Sequence, residues 1–224
     1  MKRLIVLRPE PGASATVKRA RKRGLDASAI PLFEIRPTAW EAPDAASFDA
    51  LLITSANAIR HGGDELQKLR GLSVHAVGTA TAEAAREAGF DITSTGDAGV
   101  DRLLGSLEPG LKLLHLCGED RRAPKEARQR ITSIPVYCAE AIDADVLPAE
   151  GAVVLIHSPL AGRYFAALID EIGIGRQTVG IAAISVAAAE GAGDGWASAE
   201  HVERPDDEAL LALAERLCNK PNQQ

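Results

Sequence analysis

The sequence predicts an α/β protein built on parallel sheets. Short, continuously apolar runs such as Leu4–Leu7, Phe48–Thr54 and Val153–Ile156 alternate with helical stretches to the end of the chain. Strands apolar on both faces and separated by helices belong to parallel sheets covered on both sides. At 224 residues and roughly 150 per domain, the length fits one large domain or two small ones.

The elements follow in order. Leu4–Leu7 is a strand, and a helix over Ala13–Arg23 is stopped by Gly24. A second strand covers Ala27–Ile35, interrupted by Pro31. Pro37–Ser47 has no clean period and reads as a linker or boundary. Phe48–Thr54 is a buried strand, and Ser55 caps a helix over Ala56–Leu69. Strand Val74–Val77 leads through Gly78-Thr79 to a helix over Glu83–Ala88, ended by Gly89. Ile92–Thr95 and Leu111–Leu116 are strands flanking a helix over Val100–Leu107. A polar helix spans Glu119–Arg130. Ile131–Ile142 is β-branched, but Pro135 points to an edge or connecting ribbon. Then come strand Val153–Ile156, helix Arg163–Ile172, strand Thr178–Ile181, helix Ala183–Glu190, strand Trp196–Val202 and helix Asp206–Cys218. Asn219–Gln224 is a polar tail. Independent boundaries therefore fall near Arg36 and Ala144.

Composition excludes several classes. Lys and Arg total 25 against 31 Asp and Glu, a net charge of −6, which disfavours nucleic acid and anionic membranes. Aromatics at 4% do not make a base-stacking platform. Cys117, Cys138 and Cys218 form no CxxC pair, so neither a zinc ribbon nor a redox dithiol is signalled, and they read as reduced cytosolic thiols. Arg8-Pro9-Glu10 cuts the first apolar run short of a signal peptide or membrane span. The chain is expected to be soluble and cytoplasmic.

Ligands of open α/β sheets bind at the carboxyl ends of strands, where helix N-termini present free N–H groups. The turns there are Arg8-Pro9, Thr54-Ser55-Ala56-Asn57, Gly78-Thr79-Ala80-Thr81, Cys117-Gly118-Glu119-Asp120-Arg121 and Ser158-Pro159-Leu160. They are rich in hydroxyls and small residues and poor in titratable groups, which suits an anionic ligand held by backbone dipoles. Arg121 stands close enough to Gly118 to reach a carboxylate, whereas Lys18–Arg23 reads as solvated helix surface. The same residue types are also ordinary helix caps. Gly191–Gly195 follows a helix and reads as a loop rather than a dinucleotide fingerprint. No P-loop or GxSxG occurs, and His157-Ser158 are too close in sequence to act as triad partners. The five scattered histidines suggest no metal site.

In their order along the chain, these elements resemble the uroporphyrinogen-III synthase family. Leu52-Ile53-Thr54-Ser55-Ala56-Asn57-Ala58 matches its strand–"TS-x-N-A-v"–helix element. Val77-Gly78-Thr79-Ala80-Thr81-Ala82, running to Gly89-Phe90, matches "VG-x-x-TA…G-f". Gly118 to Arg121 resembles "G-x-x-x-R", Val136-Tyr137 resembles "v-Y", His157-Ser158-Pro159 resembles "f-SP", and Arg204-Pro205 with Glu208–Leu213 resembles the closing element. One departure stands out: many members carry a further "G-p-t-T" turn where this chain has Gly180-Ile181-Ala182-Ala183, so that turn lacks its hydroxyl.

The resemblance implies two doubly wound parallel-sheet domains joined by a two-stranded ribbon, the second inserted in the first, with the active cleft between them. The first domain would comprise 1–36 and 144–224, the second 39–135, and the ribbon 33–38 with 136–143. It also implies cyclodehydration of hydroxymethylbilane to uroporphyrinogen III with inversion of ring D, without cofactor or metal. Substrate carboxylates would meet Arg8, Thr54, Ser55, Ala56, Asn57, Gly78, Thr79, Ala80, Thr81, Gly118, Arg121, Ser158, Pro159 and Leu160, mainly through backbone N–H groups. Tyr137 would be the catalytic residue. The chain would act as a monomer on substrate handed over by the preceding pathway enzyme. The alternative is a non-catalytic tetrapyrrole- or anion-binding protein on the same scaffold, favoured only if Tyr137 points away from the cleft. A periplasmic-type binding protein is disfavoured because no signal peptide is seen.

Overall fold

Apolar runs fully buried on both faces set the architecture seen in the computed structural model, which describes residues 2–96, 99–120 and 127–220. The chain divides into two compact units, Met1–Glu34 with Ala141–Gln224, and Ile35–Glu140. Both are parallel α/β structures, the fold class the alternating pattern predicts.

The first unit carries β1 (Leu4–Val6), α1 (Gly12–Lys22), β2 (Ala27–Ala29), β9 (Val153–Ile156), α5 (Pro159–Glu171), β10 (Gly180–Ala183), α6 (Val186–Ala192), β11 (Ser198–His201) and α7 (Asp207–Asn219). Its strands run in the order β11-β10-β9-β1-β2, all parallel. Strand alternation sends Leu4, Val6, Val153, Leu155 and Ala182 into one cluster with the apolar stripes of α1 and α7. The intervening residues face the other way, where α5 and α6 contact β9. Helices on both faces make this unit doubly wound.

The second unit holds β3 (Phe33–Pro37), which begins at the junction, then β4 (Ala50–Ile53), α2 (Ala56–His61), β5 (Val74–Val77), α3 (Thr79–Glu87), β6 (Ile92–Gly96), α4 (Val100–Ser106), β7 (Lys112–Gly118) and β8 (Arg130–Ala141). The sheet order is β3-β8-β7-β4-β5-β6. Strands β4 to β8 pair in parallel. The bonds Ile142 N–H to Leu32 and Thr38 N–H to Val136 run in opposite chain directions, so β3 lies antiparallel to β8. Leu51, Ile53, Val74, Ala76, Leu114 and Leu116 pack under α2 and α3. Ala50, Leu52 and Leu113 pack with Leu103 and Leu104 of α4 on the opposite face.

Several elements differ from the sequence reading. The Ala27–Ile35 strand is two strands in different sheets, broken across Ile30-Pro31-Leu32. Pro37–Ser47 is no loose linker: Trp40, Ala42 and Ala45 pack on the second core, and the Trp40 indole donates to the Gly62 carbonyl at 2.8 Å. The Ala56–Leu69 helix stops at His61 and continues as a 3-10 turn over Gly63–Leu69, because Gly63 adopts a positive φ of 63°. Helix α3 starts at Thr79, four residues or so ahead of the pattern, directly off Gly78. Within the Glu119–Arg130 helix, residues 121–126, including the expected contact Arg121, lie outside the described residues, and Arg130 already opens β8. Strand β8 is interior to the sheet, not an edge; Pro135 is accommodated by a register shift opposite Cys117 and Gly118. A proline cannot donate to the ladder, and a bulge absorbs that defect.

In the last third the strand lies later than expected, at Gly180–Ala183, and its helix begins at Val186. Gly191 therefore belongs to α6 rather than a loop. A Cβ there would stand 2.5 Å from the Pro159 carbonyl oxygen, so glycine allows α6 to lie against α5.

Candidate functional site

The parallel order within each unit gathers the strand-end turns along one sheet edge. In the second unit β8, β7, β4 and β5 are consecutive neighbours, so Tyr137, Gly118, Thr54–Asn57 and Gly78–Thr81 follow one another along that edge. The strand order reverses between β7 and β4, the switch point at which doubly wound sheets bind ligands. Gly118 and Ser55 flank it.

Each residue there has a local reason. The Ser55 hydroxyl accepts from the Asn57 N–H at 3.2 Å and caps α2, with Ala56 buried in the first turn. The Thr54 hydroxyl is 3.0 Å from His115 Nε2, and His115 Nδ1 lies 3.3 Å from the Ser133 hydroxyl. Gly78, at φ 84°, makes the turn into α3, where Thr79 and Ala80 are open to solvent and Thr81 is buried. Tyr137 is half-buried; burial pushes its phenol up, and a hydrogen bond with the Ser55 hydroxyl opposes that shift. The His61 ring lies 6.4 Å from the Tyr137 ring, and burial, then the neighbouring Arg60 charge, lowers that imidazole.

In the first unit the switch point falls between β1 and β9, flanked by Arg8 and by Ser158-Pro159-Leu160. The Ser158 hydroxyl accepts from the Ala161 N–H at 3.1 Å and caps α5, with Pro159 in its first turn. Arg8 is tied down rather than free: its Nη1 donates to Thr16 at 3.4 Å and to Asp207 at 3.3 Å. A Cβ on Gly12 would come within 2.5 Å of its Nε, so the guanidinium lies on the start of α1. Asp207 also accepts from Thr16 Oγ1 at 3.0 Å, from Arg19, and from His157 Nε2 at 3.1 Å. Burial would raise the Asp207 carboxyl, but His157 and Arg19 outweigh it and hold the group well below the usual carboxylate range. Burial lowers His157 despite Asp207.

Sequence reasoning missed Asp207, His157, Thr16 and Arg19, which come together only through packing of α1 and α7. It also missed His115, whose place in the apolar run Leu113-Leu114-His115-Leu116 was a usable signal, since a buried polar group needs partners. The turn expected to lack a hydroxyl has one: Ser185 follows β10, and its side chain accepts from the Ala188 N–H at 3.2 Å. None of the expected contacts lines the groove of about 630 Å³ along Ser14, Lys18, Arg21, Lys22 and Ser28. Among the described residues no three His, Cys, Asp or Glu side chains converge to hold a metal ion, and no helix is long and apolar enough to cross a membrane. Cys117 and Cys218 are buried, Cys138 is half-buried, and all three are free thiols.

Fold and strand ends define the class: a doubly wound α/β protein of two units, an architecture whose ligands sit at the carboxyl ends of strands. Within that class, the chain belongs to the uroporphyrinogen-III synthase family. The family model described as uroporphyrinogen-III synthase HemD matches residues 14–212. A curated uroporphyrinogen-III synthase from Chlorobaculum parvum is 33% identical over 101 residues, and the match spans 41% of this chain and 41% of that protein. A crystal structure of uroporphyrinogen-III synthetase from Helicobacter pylori shares the fold with a TM-score of 0.64 at 17% identity, over 97% of this chain and 100% of the other. A mutant uroporphyrinogen III synthase from Thermus thermophilus does so with a TM-score of 0.53 at 16% identity, over 98% and 100%.

Proposed function

We propose that this protein is a cytoplasmic, monomeric lyase that cyclises hydroxymethylbilane to uroporphyrinogen III with loss of water and inversion of ring D. Family membership supports the reaction class. The observation that carries the reading to residues is Tyr137 beside Gly118 and Ser55, next to the second unit's switch point. Substrate carboxylates are held by backbone N–H groups of Ser55, Ala56, Thr79, Ala80, Gly118 and Leu160, which present dipoles without bulk.

As the terminal C–O bond breaks, its electron pair leaves on oxygen, and the Tyr137 phenol supplies the proton that makes water. The phenolate regains a proton from the carbon deprotonated after ring closure. A phenol is fully protonated at neutral pH and so stands ready as the donor. Folding the linear chain end to end then lets closure compete with escape to the unrearranged isomer. No cofactor enters this scheme, and the unstable substrate is received from the enzyme that makes it.

The test is incubation with enzymatically generated hydroxymethylbilane and separation of the I and III isomers. Excess isomer III over the uncatalysed mixture is expected. Binding of the bilane without enrichment of isomer III would favour the non-catalytic binding protein.

A further inference from the structure

The β7–β8 ladder keeps register from Lys112↔Arg130 to Cys117↔Pro135, then skips Val136 to pair Gly118 with Tyr137. Strict alternation would put Val136 and Tyr137 on opposite faces, yet both pack against the cluster under α2 and α3. Bulges re-aim side chains in this way, and Pro135, with no N–H to give, sits where the ladder slips. The re-aimed ring fills the space over Gly118: a Cβ there would meet Tyr137 Cε2 at 2.7 Å and Cζ at 2.9 Å. At the far end of the ring, the phenol oxygen bonds the Ser55 hydroxyl, whose oxygen already accepts from the Asn57 N–H.

We propose that the Pro135 bulge, the bare backbone of Gly118 and the Ser55 hydroxyl form a mount that aims the Tyr137 phenol. Ser55 is then a positioning residue as well as a helix cap. The Asn57 N–H can only donate, so Ser55 receives it and passes its own proton to the phenol oxygen. That leaves the Tyr137 O–H free to donate outward. The inference rests on the reading of Tyr137 as the proton donor.

The chain has two tyrosines, so in a Tyr164→Phe background the ultraviolet titration of phenolate reports Tyr137 alone. Ser55→Ala is expected to move that titration to higher pH and to lower kcat roughly tenfold, as for one lost hydrogen bond to an ionised group, with KM unchanged. Ser55→Thr should restore both. Gly118→Ala should change the near-ultraviolet circular dichroism of Tyr137 and lower kcat in the same way. A folded Ser55→Ala protein with the parent's titration and kcat overturns the mount, as does a loss confined to KM, which would make Ser55 a substrate contact. The titration is read without substrate, so it judges the mount even if Tyr137→Phe retains turnover and the proton-donor reading falls.

Discussion

Asp207 gathers Arg8, Arg19, Thr16 and His157 at the first unit's strand ends, with its side chain 21% exposed. Asp207→Ala is expected to cost about 1.5–3 kcal/mol, the usual worth of hydrogen bonds to a charged group, read as a lower urea midpoint at neutral pH. Its carboxyl titrates below its ordinary 3.8 when folded, so its contribution is present above that value and is lost as pH falls further. His157 behaves differently. Burial holds its folded pKa below the ordinary 6.5, so the unfolded chain binds more protons beneath that value and stability declines as pH falls through it. His61 and His75 are lowered by burial too and act in the same direction. His157→Gln should therefore flatten, without abolishing, the loss of stability below about pH 6.5; an unchanged slope in denaturation at stepped pH would refute this. At Tyr137, removing only the hydroxyl with Phe is expected to lower turnover about 10²–10⁴-fold, the range for general acid assistance, with an unchanged melting temperature.

Helices α5 and α6 show what a single Cβ decides at the scale of elements. Gly162 faces the backbone of Ala188, Gly191 and Ala192, and Gly191 faces that of Pro159, all within 3.0 Å of an added Cβ. Backbone on both sides cannot yield as a side chain would, so Gly191→Ala is expected to cost about 1–3 kcal/mol by overpacking. Thermal unfolding checks this, and a variant within experimental error of the parent would contradict it. The same glycine shows where pattern reading fails. Gly191-Ala192-Gly193-Asp194-Gly195 has loop composition, and only the facing backbone explains why its first residue is helical. By contrast, helix starts marked by Ser55, Ser158 and Asp206 were legible, because a side-chain oxygen beside the first free N–H groups is a local device.

Two units with separate cores should not behave as one cooperative block. The second unit is continuous in the chain and contains both of its apolar clusters. Residues 35–140 expressed alone are therefore expected to fold, with a sigmoidal urea transition and native-like far-ultraviolet circular dichroism. A fragment that titrates without a transition would show that this core needs the rest of the chain. The first unit is assembled from both chain ends, so neither 1–34 nor 141–224 is expected to fold alone.

By itself the sequence determined the α/β class, most strands and several helix caps, because apolar periodicity and capping act over a few residues. It also determined the family, through short turns that occur in a fixed order. Only the tertiary structure decided that β8 is an interior strand, that Pro135 sits at a bulge, and that Tyr137 lies over Gly118 and reaches Ser55. It likewise decided that Arg8 is bound to Asp207, a residue 199 positions away. Strand neighbours and ion pairs join residues distant in the chain, and no local pattern carries the register or packing that brings them together.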